Sequence, residues 1–244
     1  MFVRLASNSL LNRKGSVALT VLAMTVSIFV LLGVEHVRQQ ARESFGNTVS
    51  GVDLVVGAKT GSLNLLLYSV FRVGTPTNNI SWRSYEEIAG WPSVAWAVPI
   101  SLGDSHKGYR VLGTSPEYFQ HYGYGRKQKL VFTQGKPFAG VFDVVLGAEV
   151  AKILGYRLGD KLILAHGLAS TKFNLHEDST FQVVGILAPT GTPVDQTLHV
   201  SLAGIEAVHL DWKTSADRLS DGGVGDQLTY PTLTPKTITA FMLG

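Results

Sequence analysis

Apolar side chains are concentrated in one long run near the start of the chain and recur in short runs after it. From Gly15 to Val34 there is no charge, no proline and no amide side chain. The polar positions there are Ser16, Thr20, Thr25 and Ser27, whose hydroxyls can bond to carbonyls of their own helix. At about 1.5 Å per residue this run makes a helix of roughly 30 Å, the thickness of a bilayer's hydrocarbon core. A cleaved export signal would have a shorter apolar region and a small-x-small cleavage site, which "LLGVEHVRQQ" does not supply. Residues 15–34 are therefore read as a retained membrane span.

Beyond the span, Val34, Val37, Ala41 and Phe45 continue an apolar stripe at helical spacing, opposite Arg38, Gln39, Arg42 and Glu43. This predicts an amphipathic stalk over residues 35–46, ended by Gly46 and Asn47. Arg4, Arg13 and Lys14 precede the span with no acid among them, whereas the far side opens with a mixed set of charges. The positive-inside rule then places residues 1–14 in the cytoplasm and residues 47–244 outside it.

The rest of the chain alternates between short strand-like and helix-like segments. "VDLVV" (52–56), "VAWAVPI" (94–100), "YRVLG" (109–113), "VVLG" (144–147), "KLILA" (161–165) and "FQVVGIL" (181–187) read as strands. "SLNLLLYSVFR" (62–72), "SWRSYEEIAGW" (81–91), "SPEYFQHYG" (115–123) and "AEVAKILG" (148–155) read as helices. Ser84 stands three residues before Glu87, the spacing of a capping box. In "LHVSLAGIEAVHLDW" (198–212) a strand feeds a helix, with Ser201 as its cap. The polar, glycine-rich stretch 215–227 reads as an exposed loop. The fold class expected is α+β: one transmembrane helix continuing into a stalk, then a mixed α/β exterior domain.

Composition narrows the function. A net charge of +3 over 244 residues is too small to argue for nucleic acid, and the absence of cysteine excludes disulfides and thiolate metal sites. No P-loop, GxGxxG or GxSxG pattern occurs, and "HED" at 176–178 does not extend to HExxH because Thr180 stands at the second histidine's place. Catalytic residues and cofactors are both expected to be none. His166, His176, Glu177 and Asp178 cluster in sequence, with His199 and His209 further on. Imidazole and carboxylate suit zinc or copper, which makes His166, His176 and Asp178 the candidate metal ligands. Their spacing matches no standard site, so ordinary loop polarity is the preferred reading and zinc binding is expected to be weak or nil. The aromatic run "YFQHYGYGR" (118–126) is read as packing in the domain's own core rather than as a stacking site.

Four segments, in order, resemble the N-terminal part of a MacB-like ABC-transporter permease, the group that includes FtsX- and LolC-type proteins. "LASNSLLNRKGSVALTVLAMTVSI" resembles its short cytoplasmic helix and first span, and "VSGVDLVVGAKTG" its first exterior strand. "YRVLGTSPEYFQHYG", "GKPF" and "DVVLGAEVAKILGYRLGDKLIL" resemble the middle of the exterior domain. "FQVVGILAPTGTPVDQTLHVSLAGIEAV" resembles the returning strand and the helix after it.

The resemblance implies a porter-like α/β part with an inserted strand-rich subdomain at roughly residues 105–180. It implies as partners a cytoplasmic ABC ATPase, a second permease chain, the lipid bilayer and, at need, a periplasmic adaptor. It implies residence in the bacterial inner membrane. Such a subunit would carry motion from ATP hydrolysis outward along the helix, toward a lipid-linked or peptide-like substrate, without itself being an enzyme. Permeases of this group have four spans, and "TITAFMLG" is reached after one, so the expectation is a fragment or a short member. The alternative from another class is a membrane-anchored sensor or ligand- or metal-binding scaffold.

Overall fold

The computed structural model describes residues 13–48, 50–166, 175–209 and 233–244, and the side chains of 40–47, 166 and 175–179 are not among the described parts. The chain divides into two compact units, Met1–Gly46 and Asn47–Gly244.

The first unit is dominated by helix α1, which runs Lys14–Thr48 and crosses the division between the units. Its Lys14–Gln39 portion has a mean hydropathy of 2.6 in its most apolar window, none of it buried in the protein. Phe29, Leu31 and Leu19 are each at least 70% exposed. Such a surface is unfavourable in water, at about 25 cal/mol for each Å² of apolar area, and needs another covering. Thr20 and Thr25 donate their hydroxyls to the carbonyls of Ser16 and Val21 at 3.0 and 2.8 Å, so neither brings an unpaired polar group to the apolar run. Arg38 pairs with Glu35 at 3.0 Å, where the apolar run gives way to charge. The helix passes through Gly46 and Asn47 before ending, one to two residues beyond the predicted stop, the usual latitude of a helix boundary.

The second unit is an α+β domain whose described residues build a nine-stranded sheet. In chain order its elements are β1 (Leu54–Gly57), α2 (Ser62–Ser69), β2 (Ile80–Ser81), α3 (Trp82–Ala89), β3 (Ala97–His106) and β4 (Tyr109–Thr114). There follow α4 (Tyr118–His121), β5 (Gly123–Tyr124), β6 (Gln128–Lys129), β7 (Phe132–Gly135), β8 (Asp143–Leu146) and α5 (Ala148–Leu154). The last are β9 (Lys161–His166), β10 (Leu175–Leu187), a 3-10 turn Pro193–Gln196, β11 (Thr197–Ser201), helix α6 over 202–209, β12 (Thr237–Ile238) and β13 (Ala240–Leu243).

The main sheet runs β1-β13-β3-β4-β11-β8-β10-β7, with β9 pairing both β10 and β3. One edge of β3 is shared, its first half by β13 and its second by β9. One edge of β10 is likewise shared by β9 and β7. The pairings therefore close a ring of six strands: β3, β4, β11, β8, β10, β9 and back to β3. The β4/β11 and β8/β10 pairs are parallel and the other ring pairs antiparallel. Residues 105–180, expected to form an inserted part, supply β4, β8, β9 and the start of β10 to the same sheet as β3, β11 and β13.

Both faces of the central strands are covered. Val144 and Leu146 join one apolar cluster with Val111, Leu198, Val200, Leu164 and Phe181, while Val145 faces the other with Leu112, Ile100, Tyr118 and Phe119. This period of two splits β8 between two cores, which is why "VVLG" reads as a continuous apolar run rather than an alternating one.

Local chemistry sets the turns and caps. Lys107 and Gly108 both have positive φ, 48° and 87°, as a two-residue hairpin turn between β3 and β4 requires. In α3 the cap is Ser81, whose hydroxyl accepts the Ser84 N–H at 3.1 Å. The Ser84–Glu87 spacing is therefore not the capping box, because the helix begins three residues earlier and Ser84 lies inside its first turn. Ser201 does cap α6, accepting the Gly204 N–H at 3.0 Å. Gly147 sits where a Cβ would meet the carbonyl oxygens of Val194 and Asp195 at 2.2 and 2.4 Å, so only glycine lets α5 start against the 3-10 turn.

Candidate functional site

The predicted aromatic packing is present. Tyr118, Phe119 and Tyr122, from α4 and its exit, are 0%, 5% and 2% exposed. Tyr118 and Phe119 flank the buried His199 of β11, with ring centroids at 5.4 and 5.8 Å, and Tyr122 stacks on Tyr118. Burial, reinforced by the Arg72 charge and opposed by the Val145 carbonyl, pushes the His199 imidazole down to about 3. His199 is thus a neutral core residue, not a solvent-facing ligand. Tyr122 donates its hydroxyl to the carbonyl of Thr48, the last residue of α1. Burial raises the pKa values of Tyr118 and Tyr122, so both phenols stay protonated.

Arg72 lies beside this aromatic set. It follows α2 with a positive φ of 60° and is 8% exposed. Its guanidinium donates to the Ser69 carbonyl and lies 3.5 Å from the Tyr118 hydroxyl, while its Nε has no hydrogen-bond partner among the described residues. Next to it is a cavity of about 350 Å³, walled by Phe71, Arg72, Tyr109, Arg110 and Pro193. Arg110 enters from β4 and donates to the Gly74 carbonyl, and burial lowers its pKa. A second cavity of about 190 Å³ lies across Val73 and Gly74 and reaches Tyr68, whose buried hydroxyl has no hydrogen-bond partner among the described residues.

Asp195 is fully engaged in shaping the 3-10 turn. It accepts the Thr190 N–H at 2.8 and 3.0 Å, the Gly191 N–H at 2.8 Å and the Thr190 hydroxyl at 2.9 Å. A third polar group joins β3 to α6: His209 Nε2 lies 3.5 Å from Oδ2 of the buried Asp104. His106, at the end of β3, contacts the Ile163 carbonyl at 2.6 Å and the Tyr156 hydroxyl at 2.8 Å. Its pKa is lowered chiefly by burial, against the Ile163 contact.

The sequence-predicted metal candidates are not brought into a described site. The backbones of His166 in β9 and of His176, Glu177 and Asp178 in β10 are placed, with His166 opposite Asp104 in the β3/β9 register. Their side chains lie outside the described residues. Among the described residues no group of three or more His, Asp or Glu could hold a metal ion. Stretch 215–227 also lies outside the described residues.

Arg72, Arg110 and Asp104 went unremarked in the sequence reading. The available signal was a lone arginine ending the apolar helix "SLNLLLYSVFR" and a lone aspartate between apolar strands. A charge in such a place is either paired or functional.

The chain thus combines an exposed apolar helix, long enough to cross a membrane, with an α+β domain that holds a cavity of about 350 Å³. The chain belongs to the family of the MacB-like periplasmic core domain, whose model matches residues 17–239. The resemblance to MacB-like ABC-transporter permeases is thereby borne out. Among curated proteins no match is found. The chain is similar to solved structures, including a periplasmic region and an extracellular domain. The periplasmic region of MacB from Actinobacillus actinomycetemcomitans has 11% identity and a TM-score of 0.45, over 79% of this chain and 75% of that one. The extracellular domain of the noncanonic ABC-type transporter YknZ from Gram-positive bacteria has 12% identity and a TM-score of 0.37, over 68% of this chain and 73% of that one.

Proposed function

We propose that this chain acts as a transmembrane permease subunit of an ABC transporter in the bacterial inner membrane. The observation that carries the reading is the family match over residues 17–239, which takes in the apolar helix together with the domain after it. In this reading residues 1–14 are cytoplasmic, 15–34 cross the bilayer, 35–46 form the stalk and 47–244 lie outside, with 105–180 as the inserted excursion. The chain carries no P-loop, so ATP hydrolysis belongs to a partner ATPase. A second permease chain completes the pair, with a periplasmic adaptor where the route continues outward.

The mechanism in this reading is mechanical. A continuous helix transmits displacement because every turn is hydrogen-bonded to the next, whereas a hinge would dissipate it. Gly33 is the point of least resistance in the apolar run, since glycine lacks the side-chain packing that stiffens its neighbours. The exterior domain then handles a lipid-linked or peptide-like substrate.

The test is affinity purification of the tagged chain from bacterial membranes. Stoichiometric recovery of an ABC ATPase is the expected result, and recovery of a histidine kinase or of no ATPase would refute the reading. Topology is checked separately with a reporter active only outside the cytoplasm. It should work fused after Arg42 and fail fused after Asn12.

A further inference from the structure

We propose that the cavity beside Arg72 and Arg110 is a binding site for a small molecule carrying one oxyanion, a carboxylate or a phosphate, on a short apolar body. A guanidinium removed from water needs its donors engaged and its charge offset. For Arg72 the described residues supply a carbonyl at Ser69 and a long contact to the Tyr118 hydroxyl, and leave the Nε hydrogen unengaged. Among the described residues neither arginine has an ion pair. Asp195, which lies in the chain between the wall residues Pro193 and Gln196, has its oxygens taken by Thr190 and Gly191.

Among the described residues the cavity walls contain two cations and no acid. An oxyanion placed there would accept charge-assisted hydrogen bonds, the stronger kind, from groups already held in place. Phe71, Tyr109 and Pro193 supply apolar surface beside the arginines. The volume of about 350 Å³ lies at the small end of the range for ligand pockets, roughly 300–1,000 Å³. An inorganic anion would leave the apolar walls uncovered, and a neutral hydrocarbon would leave Arg72 uncompensated. The same chemistry is offered by a soluble carboxylate or phosphate ester and by the headgroup of an anionic lipid.

This inference does not rest on the transporter reading, because it needs only the domain. The experiment uses the full chain in nanodiscs of phosphatidylcholine, titrated calorimetrically with butyl phosphate, butyrate and 1-butanol. One-to-one binding of either anion is expected, with no binding of 1-butanol. Arg110→Ala, at a half-buried position, should weaken that binding by about tenfold or more while leaving the ligand-free melting temperature close to wild type. Arg72→Lys, which keeps the charge but loses the planar fork, should weaken it too. Repeating the titration in nanodiscs containing phosphatidic acid separates the sources. Loss of apparent affinity there identifies a lipid headgroup as the occupant, and unchanged affinity a soluble ligand, the site standing in both cases. Absence of binding by both anions, or equal binding by wild type and Arg110→Ala, would overturn the proposal whatever ATPase co-purifies.

Discussion

The hydroxyl of Tyr122 donates to the main-chain carbonyl of Thr48, 74 positions earlier in the chain. Next to it, Ser50 and Gly123 form a bridge in which the Ser50 N–H meets the Gly123 carbonyl at 2.8 Å. The start of the domain is thus pinned by α4 and its exit rather than by its sequence neighbours. Tyr122→Phe keeps the ring and removes the bond. It should lower domain stability by about 0.5–1.5 kcal/mol, read by chemical denaturation, with faster amide exchange at Ser50. Unchanged exchange there would show that the bond does not hold the segment.

His199 makes stability depend on pH in a stated direction. Its folded pKa of about 3 lies below the ordinary 6.5, so below 6.5 the unfolded chain binds a proton that the native chain refuses. The stability present above pH 6.5 is lost as pH falls toward 3, by up to about 1.4 kcal/mol per pH unit. His106, also lowered, adds a loss of the same sign. Denaturation midpoints measured at pH 7.5, 6.5 and 5.5 should fall, and His199→Gln should flatten the slope. A wild-type slope of zero would mean that water reaches the imidazole.

Gly147→Ala should be among the more damaging single-methyl changes. The added carbon would lie within 2.6 Å of three backbone atoms of Val194 and Asp195, which a rotamer change cannot relieve. The start of α5 or the 3-10 turn must move, breaking the 2.9 Å bond from Gly147 N–H to the Thr197 carbonyl. Destabilisation of about 2–4 kcal/mol is expected. Gly155→Asn is the mild comparison, since asparagine tolerates the left-handed φ of 72° and nothing lies within 4 Å.

Ala23→Asp tests the bilayer directly. The position is exposed and lies near the middle of the apolar run. A central aspartate costs about 2.5–3.5 kcal/mol of insertion on translocon scales. The variant should be recovered less in the membrane fraction than Ala23→Leu. Equal recovery of the two would place the lipid elsewhere.

The sequence showed what period and punctuation can show. The apolar run, β8 with α5, and β11 feeding α6 were all legible, because an apolar run or an apolar/polar alternation there meets a flanking charge, a glycine or a cap. β3 was read as ending at Ile100, yet it continues to His106 through Gly103, Asp104 and Ser105. Those polar residues are tolerated because β4 and β9 pair with that half from both sides, and β9 lies some 60 residues away in sequence. β13 was unremarked, since "AFML" pairs only with strands near the start of the domain. The cavity was invisible for the same reason. Arg72, Arg110 and Pro193 are distant in sequence, and only the fold makes them neighbours.

Closure of six strands on themselves gives the domain the mechanics of a hoop. In an open sheet one strand can slide by a residue and disturb only its neighbour. Here a slip at β9 would have to be matched around the whole circuit, and each slip would turn apolar side chains such as Leu162 and Leu164 out of their core. Shear within the ring is therefore opposed by all six strands together, where an open sheet would oppose it one pair at a time.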